Sequence, residues 1–154
     1  MPVSDNIYML EAVKEAMKAF DADEVPVGAV IVHNGRIIAR AHNQIKLLKD
    51  PTAHAEMIAI TQAASHLASE RLLETTLYST VEPCAMCAGA MVLARIKRLV
   101  YGAEDPKTGA AGSVTNVVND RRLNHRISVV KGVLEKESST LLKEFFALKR
   151  RKQT

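Results

Sequence analysis

Apolar side chains recur every three or four positions along residues 1–20, which is the spacing of an amphipathic helix. Ser4 or Asp5 can cap the start of this helix, because a short polar side chain can accept a hydrogen bond from the first free amides. An acidic segment at residues 21–24 ends it. The apolar residues of the predicted helix face are Ile7, Leu10, Val13, Met17 and Phe20.

A nearly unbroken apolar run follows at residues 25–32, which is typical of a strand covered on both faces. Asn34 and Gly35 come next, and both residue types tolerate the positive φ angles that a type I′ turn requires. Residues 36–42 then make the returning strand. The sequence therefore predicts a β-hairpin directly after the first helix.

Helices and strands alternate after a polar connection at residues 43–49. A hairpin followed by such alternation predicts an α/β fold, with a mixed five-stranded sheet and helices on both of its faces. A long connection at residues 102–126, with a short helical piece near 114–118, allows the last two strands to run parallel. The remaining predicted helices cover residues 53–66, 84–94 and 134–149, and the remaining strands cover residues 76–81, 98–101 and 127–130.

Composition narrows the class of protein. The chain has 154 residues, which indicates one domain over residues 1–154 with a substantial core. Residues 1–20 lack the apolar segment of a secretory signal, and no apolar run approaches the roughly 20 residues that span a membrane. We therefore expect a cytoplasmic protein with no membrane partner. The net charge is +4, and residues 149–152 form a basic run in a tail at about 149–154, which either solubilises the chain end or contacts phosphates.

The two cysteines, Cys84 and Cys87, lie three positions apart at a predicted helix start, just after Pro83. At that spacing both sulfurs lie on one face of the first turn and can reach one ion. The free amides and the helix dipole favour the thiolate, which is the form that binds metal. The pair alone leaves two alternatives open, a redox dithiol and half of a structural zinc site.

His54 and Glu56 open another predicted helix and favour a metal site. A glutamate in the first turn can fold back across the helix end, so both side chains can share one pocket; the alternative is that Glu56 only caps the helix. One histidine and two cysteines give three protein ligands, whereas structural zinc sites are closed by four. The count therefore favours a catalytic zinc with a position left for water, unless His125 closes the shell. Glu56 is then placed to take the proton of that water.

The segments His54-Ala-Glu56 and Pro83-Cys-Ala-Met-Cys87 resemble the signature of the zinc nucleobase deaminases. Over nearly its whole length the chain resembles the bacterial tRNA-specific adenosine deaminases. The resemblance implies a three-layer α-β-α fold of the cytidine-deaminase kind. It also implies hydrolytic deamination of adenosine to inosine at the wobble position of an arginine tRNA anticodon. The further segments that carry it are Glu24-Val-Pro-Val-Gly-Ala, Asp50-Pro-Thr-Ala-His-Ala-Glu, Lys107-Thr-Gly-Ala-Ala-Gly-Ser, Leu123-Asn-His-Arg and Phe145-Phe146.

The same resemblance implies residue roles and partners. One Zn²⁺ per subunit would be held by His54, Cys84 and Cys87, with Glu56 as the proton shuttle for the zinc-activated water. A homodimer would bind the tRNA anticodon stem-loop near the subunit junction. The implied substrate contacts are Asn43, the backbone around Val27 and Ala55, the loop at Asp105, and a stacking surface for splayed bases at Phe145.

Other interpretations stay open at this point. The protein could deaminate a free base, which would not need the basic tail, or it could be a non-catalytic RNA-binding module with a structural zinc. The implied RNA contacts also have structural alternatives. Asn43 can simply end a strand, and Asp105-Pro106 is a common turn pair. Phe145 and Phe146 cannot both face the same way on one helix.

Overall fold

The computed structural model describes residues 2–152, and the side chains of residues 5–152. A helix and a hairpin come first, and helices and strands then alternate. The helices are α1 (Pro2–Asp21), α2 (Ile45–Leu48), α3 (Ala55–Leu67), α4 (Ala85–Leu93) and α5 (Glu135–Lys152). The strands are β1 (Gly28–His33), β2 (Arg36–His42), β3 (Thr75–Val81), β4 (Arg98–Ala103) and β5 (Ser128–Lys131).

The five strands form one mixed sheet in the order β2-β1-β3-β4-β5. β1 pairs antiparallel with both β2 and β3, whereas β3, β4 and β5 run parallel. The predicted hairpin is confirmed, since Asn34 and Gly35 join β1 to β2 with φ angles of 51° and 73°. The prediction that the last two strands run parallel is confirmed as well.

Successive residues of a strand point to opposite faces of the sheet, and the two faces carry different helices. Ala29 and Ile31 of β1 pack in one cluster with α3 and α4, whereas Val30 and Val32 pack in another with α1. α5 lies beside α1 and contacts β3 and β4. The predicted three layers, helix, sheet and helix, are therefore confirmed. Within residues 2–152, no helix combines the length and the apolar character needed to cross a membrane.

α1 turns a different face to the sheet than its larger apolar residues predict. Ile7, Leu10 and Met17 are about half exposed. The helix lies so close to β1 that a Cβ atom at Gly28 would stand 2.0 Å from the carbonyl oxygen of Ala12. A contact this close favours small side chains, so alanines mark most of the buried face. The buried apolar residues of α1 are Met9, Ala12, Val13, Ala16 and Ala19.

The connection at residues 43–49 contains the short helix α2, which its polar composition does not predict. A carboxylate from a distant part of the chain holds this helix. Glu24 is buried and accepts hydrogen bonds from the amides of Lys46 (3.1 Å) and Leu47 (2.9 Å). A negative side chain at a helix start satisfies free amides and complements the helix dipole.

Two later segments also differ from their predictions. The helical piece predicted near residues 114–118 is wrong, because that segment forms turns and an isolated β-bridge. The last helix, predicted to end at Lys149, continues to Lys152. Lys149 forms an ion pair of 2.5 Å with Asp23, which ties the start of the basic tail to the body of the protein. Residues 153–154 of that tail lie outside the described residues.

A partly buried ion pair fastens α1 to the sheet. Both carboxylate oxygens of Asp5 accept hydrogen bonds from Arg98, at 2.8 Å and 2.6 Å, and the hydroxyl of Tyr78 donates to the same carboxylate at 2.7 Å. The hydrogen bonds from Arg98, and then that from Tyr78, hold the pKa of Asp5 below its usual range even though burial opposes them. Such paired, charge-assisted bonds are stronger than bonds between neutral groups.

We predict that Asp5→Asn lowers the free energy of unfolding at pH 7 by roughly 1–3 kcal/mol, because Arg98 and Tyr78 lose a charged acceptor. Asp5 stabilises the fold only where it is ionised, since its pKa is lower in the folded protein. The difference from wild type should therefore be complete above the ordinary Asp pKa, near 3.9, and should fade as the pH falls below it. Urea unfolding at several pH values measures this.

Lys97→Gln is the control, because it removes an ion pair with Glu74 in which both side chains are largely exposed. Exposed pairs contribute little, so this variant should unfold like wild type. An Asp5→Asn protein as stable as wild type at pH 7 would contradict the assignment.

Candidate functional site

Two helix starts bring the predicted metal ligands together. His54 directly precedes α3 and Cys84 directly precedes α4, and both have extended backbone, with ψ angles of 149° and 175°. Cys87 follows in the first turn of α4. Neither the His54 side chain nor the Cys84 side chain caps its own helix, so both are available for another role.

The ligand atoms are spaced as atoms around one ion would be. Nδ1 of His54 lies 3.8 Å from Sγ of Cys84 and 3.6 Å from Sγ of Cys87. All three atoms lie within 4.8 Å of one another. Zinc binds nitrogen and sulfur at roughly 2.0–2.3 Å, which puts tetrahedral ligand atoms about 3.5–3.8 Å apart. The donor set and its spacing therefore fit zinc.

His125, the residue that could have closed the shell, lies elsewhere. Its Nε2 atom is 2.7 Å from the carbonyl oxygen of Ile96, which follows the end of α4, whereas the cluster lies at the start of that helix. Among the side chains of residues 5–152, no fourth histidine, cysteine or acid joins the three ligand atoms. A site with three protein ligands has a position for water or substrate, as catalytic zinc sites do.

The cluster already favours a thiolate. The thiol of Cys87 donates to the sulfur of Cys84, and the imidazole of His54 lies beside it. These contacts lower the pKa of Cys84 to about 3, and the bond to Cys84 raises the pKa of Cys87 above its usual range. The hydrogen bond between His54 and Cys84 also raises the pKa of His54. A cation bound here would displace the remaining protons, because metal ligands must be deprotonated.

Glu56 lies in the first turn of α3 and is only 4% exposed. Its Oε1 atom is buried without a hydrogen-bond partner. Burial raises the pKa of this carboxyl to about 7. The amide of His54, which a capping glutamate would bind, donates instead to the carbonyl oxygen of Thr52 at 2.8 Å. The arrangement therefore favours an oxygen kept for a ligand over a helix cap.

A cavity of about 240 Å³ adjoins the cluster and includes both His54 and Glu56 in its wall. Its apolar lining comes from the segment before β1, the end of β3 and the start of α2. Its polar lining includes an amide and several acidic or hydroxyl groups. The residues that line it are Val25, Val27, Asn43, Ile45, His54, Glu56, Val81, Glu82, Cys84, Asp105 and Thr108.

Asn43 connects two parts of this wall. Its side chain is buried, and Oδ1 accepts a hydrogen bond of 2.8 Å from the amide of Ala55 at the start of α3. The backbone amide of Asn43 donates to the carbonyl oxygen of Val27 at 3.1 Å. The predicted group of Asn43, Val27 and Ala55 therefore lies together. Val27 and Asn43 line the cavity, whereas Ala55 is fully buried behind it.

Asp105 lies at the cavity mouth and organises a tight turn. Its carboxylate accepts hydrogen bonds from the amides of Lys107 (3.0 Å) and Thr108 (3.1 Å) and from the Thr108 hydroxyl (2.7 Å). Burial alone would raise the pKa of Asp105, but these bonds, led by that from Thr108, lower it. Asp105 therefore forms a turn, as the Asp105-Pro106 pair allows, and it lines the cavity as well.

Phe145 does not reach the cavity. It is buried against Phe20 of α1, with ring centroids 5.8 Å apart, and the Lys149 ammonium stands 5.5 Å from its centroid. A helix cannot present adjacent residues on one side, and here Phe146 is the exposed member of the pair. Phe146 lines a second groove that adjoins the cavity and shares Val27 with it. A stacking surface for bases would therefore be formed by Phe146.

Sequence analysis missed several residues of the cavity wall. The apolar ones were assigned only to strands or to a connection. Glu82 has no predicted role, although an acid directly before a metal-ligand motif is a signal that could have found it. The missed residues are Val25, Ile45, Val81, Glu82 and Thr108.

Comparison with known proteins identifies the family. A profile of the MafB19-like deaminases matches residues 3–150. The tRNA-specific adenosine deaminase of Bacillus subtilis is 50% identical over 149 residues, which are 97% of this chain and 92% of that protein. The chain belongs to the tRNA-specific adenosine deaminase family.

Solved structures agree with this assignment. A chain from a study of A-to-I editing by tRNA:A34 deaminases at the wobble position of transfer RNA is 46% identical, with a TM-score of 0.86. The match covers 88% of this chain and 99% of that one, and it confirms the expected cytidine-deaminase-like fold. A guanine deaminase from Bacillus subtilis is 42% identical over 64% of this chain and 63% of its own, with a TM-score of 0.61.

We predict that the purified adenosine deaminase homologue contains about one zinc ion per chain, and that Cys87→Ala loses most of it because the remaining two ligands cannot complete a site. Elemental analysis after dialysis measures the ratio. His125→Ala is the matched control and should keep its zinc. Retention of zinc by Cys87→Ala, or loss of it by His125→Ala, would contradict this ligand assignment.

Proposed function

We propose that this protein catalyses the hydrolytic deamination of adenosine to inosine at the wobble position of a tRNA anticodon. The observation that carries the chemistry is the partnerless, buried carboxyl oxygen of Glu56, in a cavity that is also lined by His54 and Cys84 of the ligand cluster. The choice of tRNA is supported by family membership and by relatives named for tRNA and adenosine.

His54, Cys84 and Cys87 would hold one zinc ion per subunit. A zinc ion at this position would act as a Lewis acid toward water and make it a better nucleophile near neutral pH. Because two of the three ligands are thiolates, much of the ion's charge is neutralised by the protein. A nearby group that takes the proton of the water is then an advantage.

Glu56 is the proton carrier in this proposal, the role that a glutamate has in zinc nucleobase deaminases as a class. Its carboxylate takes one proton from the water as the water adds to the purine carbon that bears the amino group, and passes that proton to the ring nitrogen. The carboxylate then takes the second proton from the added hydroxyl and passes it to the departing amine, so that adenosine and water yield inosine and ammonia. Burial raises the pKa of Glu56 above its usual range, which favours a carboxyl that can both accept and release a proton near neutral pH.

The cavity selects a single extruded nucleoside. At about 240 Å³ it is smaller than the cavities of roughly 300–1,000 Å³ that hold drug-sized ligands, so it has no room for stacked nucleotides. A base in an anticodon loop is cheaper to extrude than a base in a helix. Asn43 and Val27 would contact the base and Asp105 the ribose, as the family resemblance implies.

The basic end of α5 would contribute sequence-independent affinity. Residues 149–152 are helical, and Lys149 is held by Asp23 next to the Phe145 ring. Positive charge favours phosphates without selecting a sequence. Selection of an arginine tRNA would then depend on the bases that flank the wobble adenosine. A tRNA substrate also supports a cytoplasmic location for the protein. The protein would act there as one deaminase domain over residues 1–154.

We predict that the wild-type protein converts the wobble adenosine of an arginine tRNA anticodon stem-loop to inosine, and that Glu56→Ala loses at least about 10²-fold in kcat because it lacks the proton carrier. Mass spectrometry of nucleosides after digestion measures inosine. The variant should keep its zinc and its fold. Equal rates in the two proteins, or no deamination by either, would refute the catalytic assignment.

The similarity to a guanine deaminase favours a free base as the second candidate substrate. The same assay separates the two, because guanine, cytosine and adenine can replace the stem-loop. Turnover of a free base without turnover of the stem-loop would replace the tRNA proposal by this one.

The outer surface of α3 and α4 supports the proposal of a homodimer. Leu93 at the end of α4 is 80% exposed, and Met57, Ile60 and Met86 on the same two helices are only partly buried. A dimer that covers this surface would place two cavities on one particle. The anticodon loop would then meet the enzyme near the subunit junction.

We predict that the protein elutes at twice its chain mass of 16.9 kDa in light-scattering chromatography, and that Leu93→Glu shifts the mass toward the monomer because it buries a charge at the junction. Leu47→Glu, on α2 and 69% exposed, is the control and should remain dimeric. A wild-type monomer would reject the homodimer, while a dimeric Leu93→Glu protein would place the junction elsewhere.

A further inference from the structure

Glu82 lies directly after β3 and two residues before Cys84. Its side chain is 3% exposed although it lines the cavity. None of the ion pairs formed by residues 5–152 includes it. A buried carboxylate without a cation must obtain its stabilisation from hydrogen bonds. The donors in this protein all come from residues 105–113, which we call the mouth loop.

Both oxygens of the Glu82 carboxylate are bonded to the mouth loop. Oε1 accepts from the amide of Asp105 (3.0 Å) and from the hydroxyl of Ser113 (2.5 Å). Oε2 accepts from the amides of Ala111 and Ser113, both at 3.0 Å. One side chain therefore holds the beginning and the end of the loop.

The loop also wraps closely around this side chain. A Cβ atom at Gly109 would lie 2.4 Å from the carboxyl carbon of Glu82, so the loop backbone lies directly on the carboxylate. The amide of Ala110 donates to the carbonyl oxygen of Pro83 at 2.8 Å. The loop is thus attached to the two residues that immediately precede the metal ligand Cys84.

The bonding of Glu82 excludes the role that Glu56 fills. Each Glu82 oxygen accepts two hydrogen bonds, which uses the lone pairs of an ionised carboxylate. Glu56 has a buried oxygen without any partner. Glu82 is therefore saturated and fixed in place, whereas Glu56 is open to a ligand.

We propose that Glu82 is a positioning residue for substrate binding: it holds the mouth loop, and with it Asp105 and Thr108, in place at the edge of the cavity. This inference rests on the proposed function, because the loop is taken to contact the nucleoside beside the deamination site. Loss of the carboxylate would leave three backbone amides and a hydroxyl without their acceptor. The loop would then be released while the metal ligands keep their helix.

The test compares Glu82→Ala, Glu82→Gln and Ser113→Ala with wild type. Glu82→Gln keeps one carbonyl oxygen but turns an amide group toward two donors, so part of the bonding is lost at nearly unchanged shape. Ser113→Ala removes only the hydroxyl bond. Glu104→Gln is the matched control, since it makes the same chemical change at a neighbouring acid that pairs with Lys131 on the surface.

Four quantities are measured: kcat and KM with the anticodon stem-loop, zinc content, and amide hydrogen exchange of peptides that cover the mouth loop. We expect KM to rise about tenfold or more in Glu82→Ala, in the range of a lost charged hydrogen-bond network, and less in Glu82→Gln and Ser113→Ala. Zinc content should stay at the wild-type ratio, kcat should change less than KM, and exchange should accelerate in residues 105–113.

Electrostatics alone predicts a fall in KM rather than a rise. Removal of a negative charge near RNA strengthens binding, so Glu104→Gln should lower KM or leave it unchanged. A KM of Glu82→Ala within twofold of wild type, or a fall in kcat at constant KM, would overturn the proposal. So would unchanged exchange in the loop. If Glu82→Ala does not fold, Glu82→Gln decides by the same criteria.

If the proposed function is wrong, the measurements give a different combination of results. In that case the wild-type protein does not deaminate the stem-loop, whereas the exchange measurement still reports whether Glu82 holds the loop. Faster exchange in Glu82→Gln, together with no deaminase activity in wild type, would support the role of Glu82 in holding the loop and would reject its role in substrate binding.

Discussion

The site depends on one constraint: two helices from separate parts of the chain must begin within a few ångströms of each other. His54 and Cys84 are thirty positions apart, yet their ligand atoms stand 3.8 Å apart. A helix start has free amides and backbone that has just left the extended state, so its direction is set by what precedes it. For α4 that is the central strand β3, and for α3 it is the bond from Ala55 to the buried Asn43.

Small residues make the arrangement possible. The chain has six aromatic residues among 154, and the helix faces that pack on the sheet are rich in alanine. On the side of the site these include Ala55, Ala59, Ala63 and Ala88. Short side chains allow a helix to lie close to the strands. On the other side, α1 lies against Gly28 in the same manner. Close packing of this kind tolerates little enlargement, because interiors have few voids to absorb it.

Most of the fold could be predicted because it follows from local patterns. The Asn34–Gly35 turn, the alternation of elements and the Cys84–Cys87 spacing are local features. The errors arose where distant groups decide. Glu24 holds α2 from another segment, the close approach at Gly28 selects the alanine face of α1, and Glu82 organises a loop that begins more than twenty residues later. The metal cluster could be predicted because ligand chemistry restricts the residue types. The proposed RNA-facing surface could not, since an exposed side chain carries no pattern of its own until its neighbours are known.

The two buried glutamates of the cavity show how environment separates identical side chains. Glu56 starts a helix among apolar neighbours and the ligand cluster, so burial dominates and raises its pKa to about 7. Glu82 follows a strand and meets a loop whose amides point inward, so its charge is compensated by hydrogen bonds alone. Environments that push the pKa values of two carboxyl groups apart in this way distinguish the proposed proton carrier from a structural anchor. The same acid would be unable to do both, because the bonds that fix a carboxylate also occupy the lone pairs with which it would accept a proton.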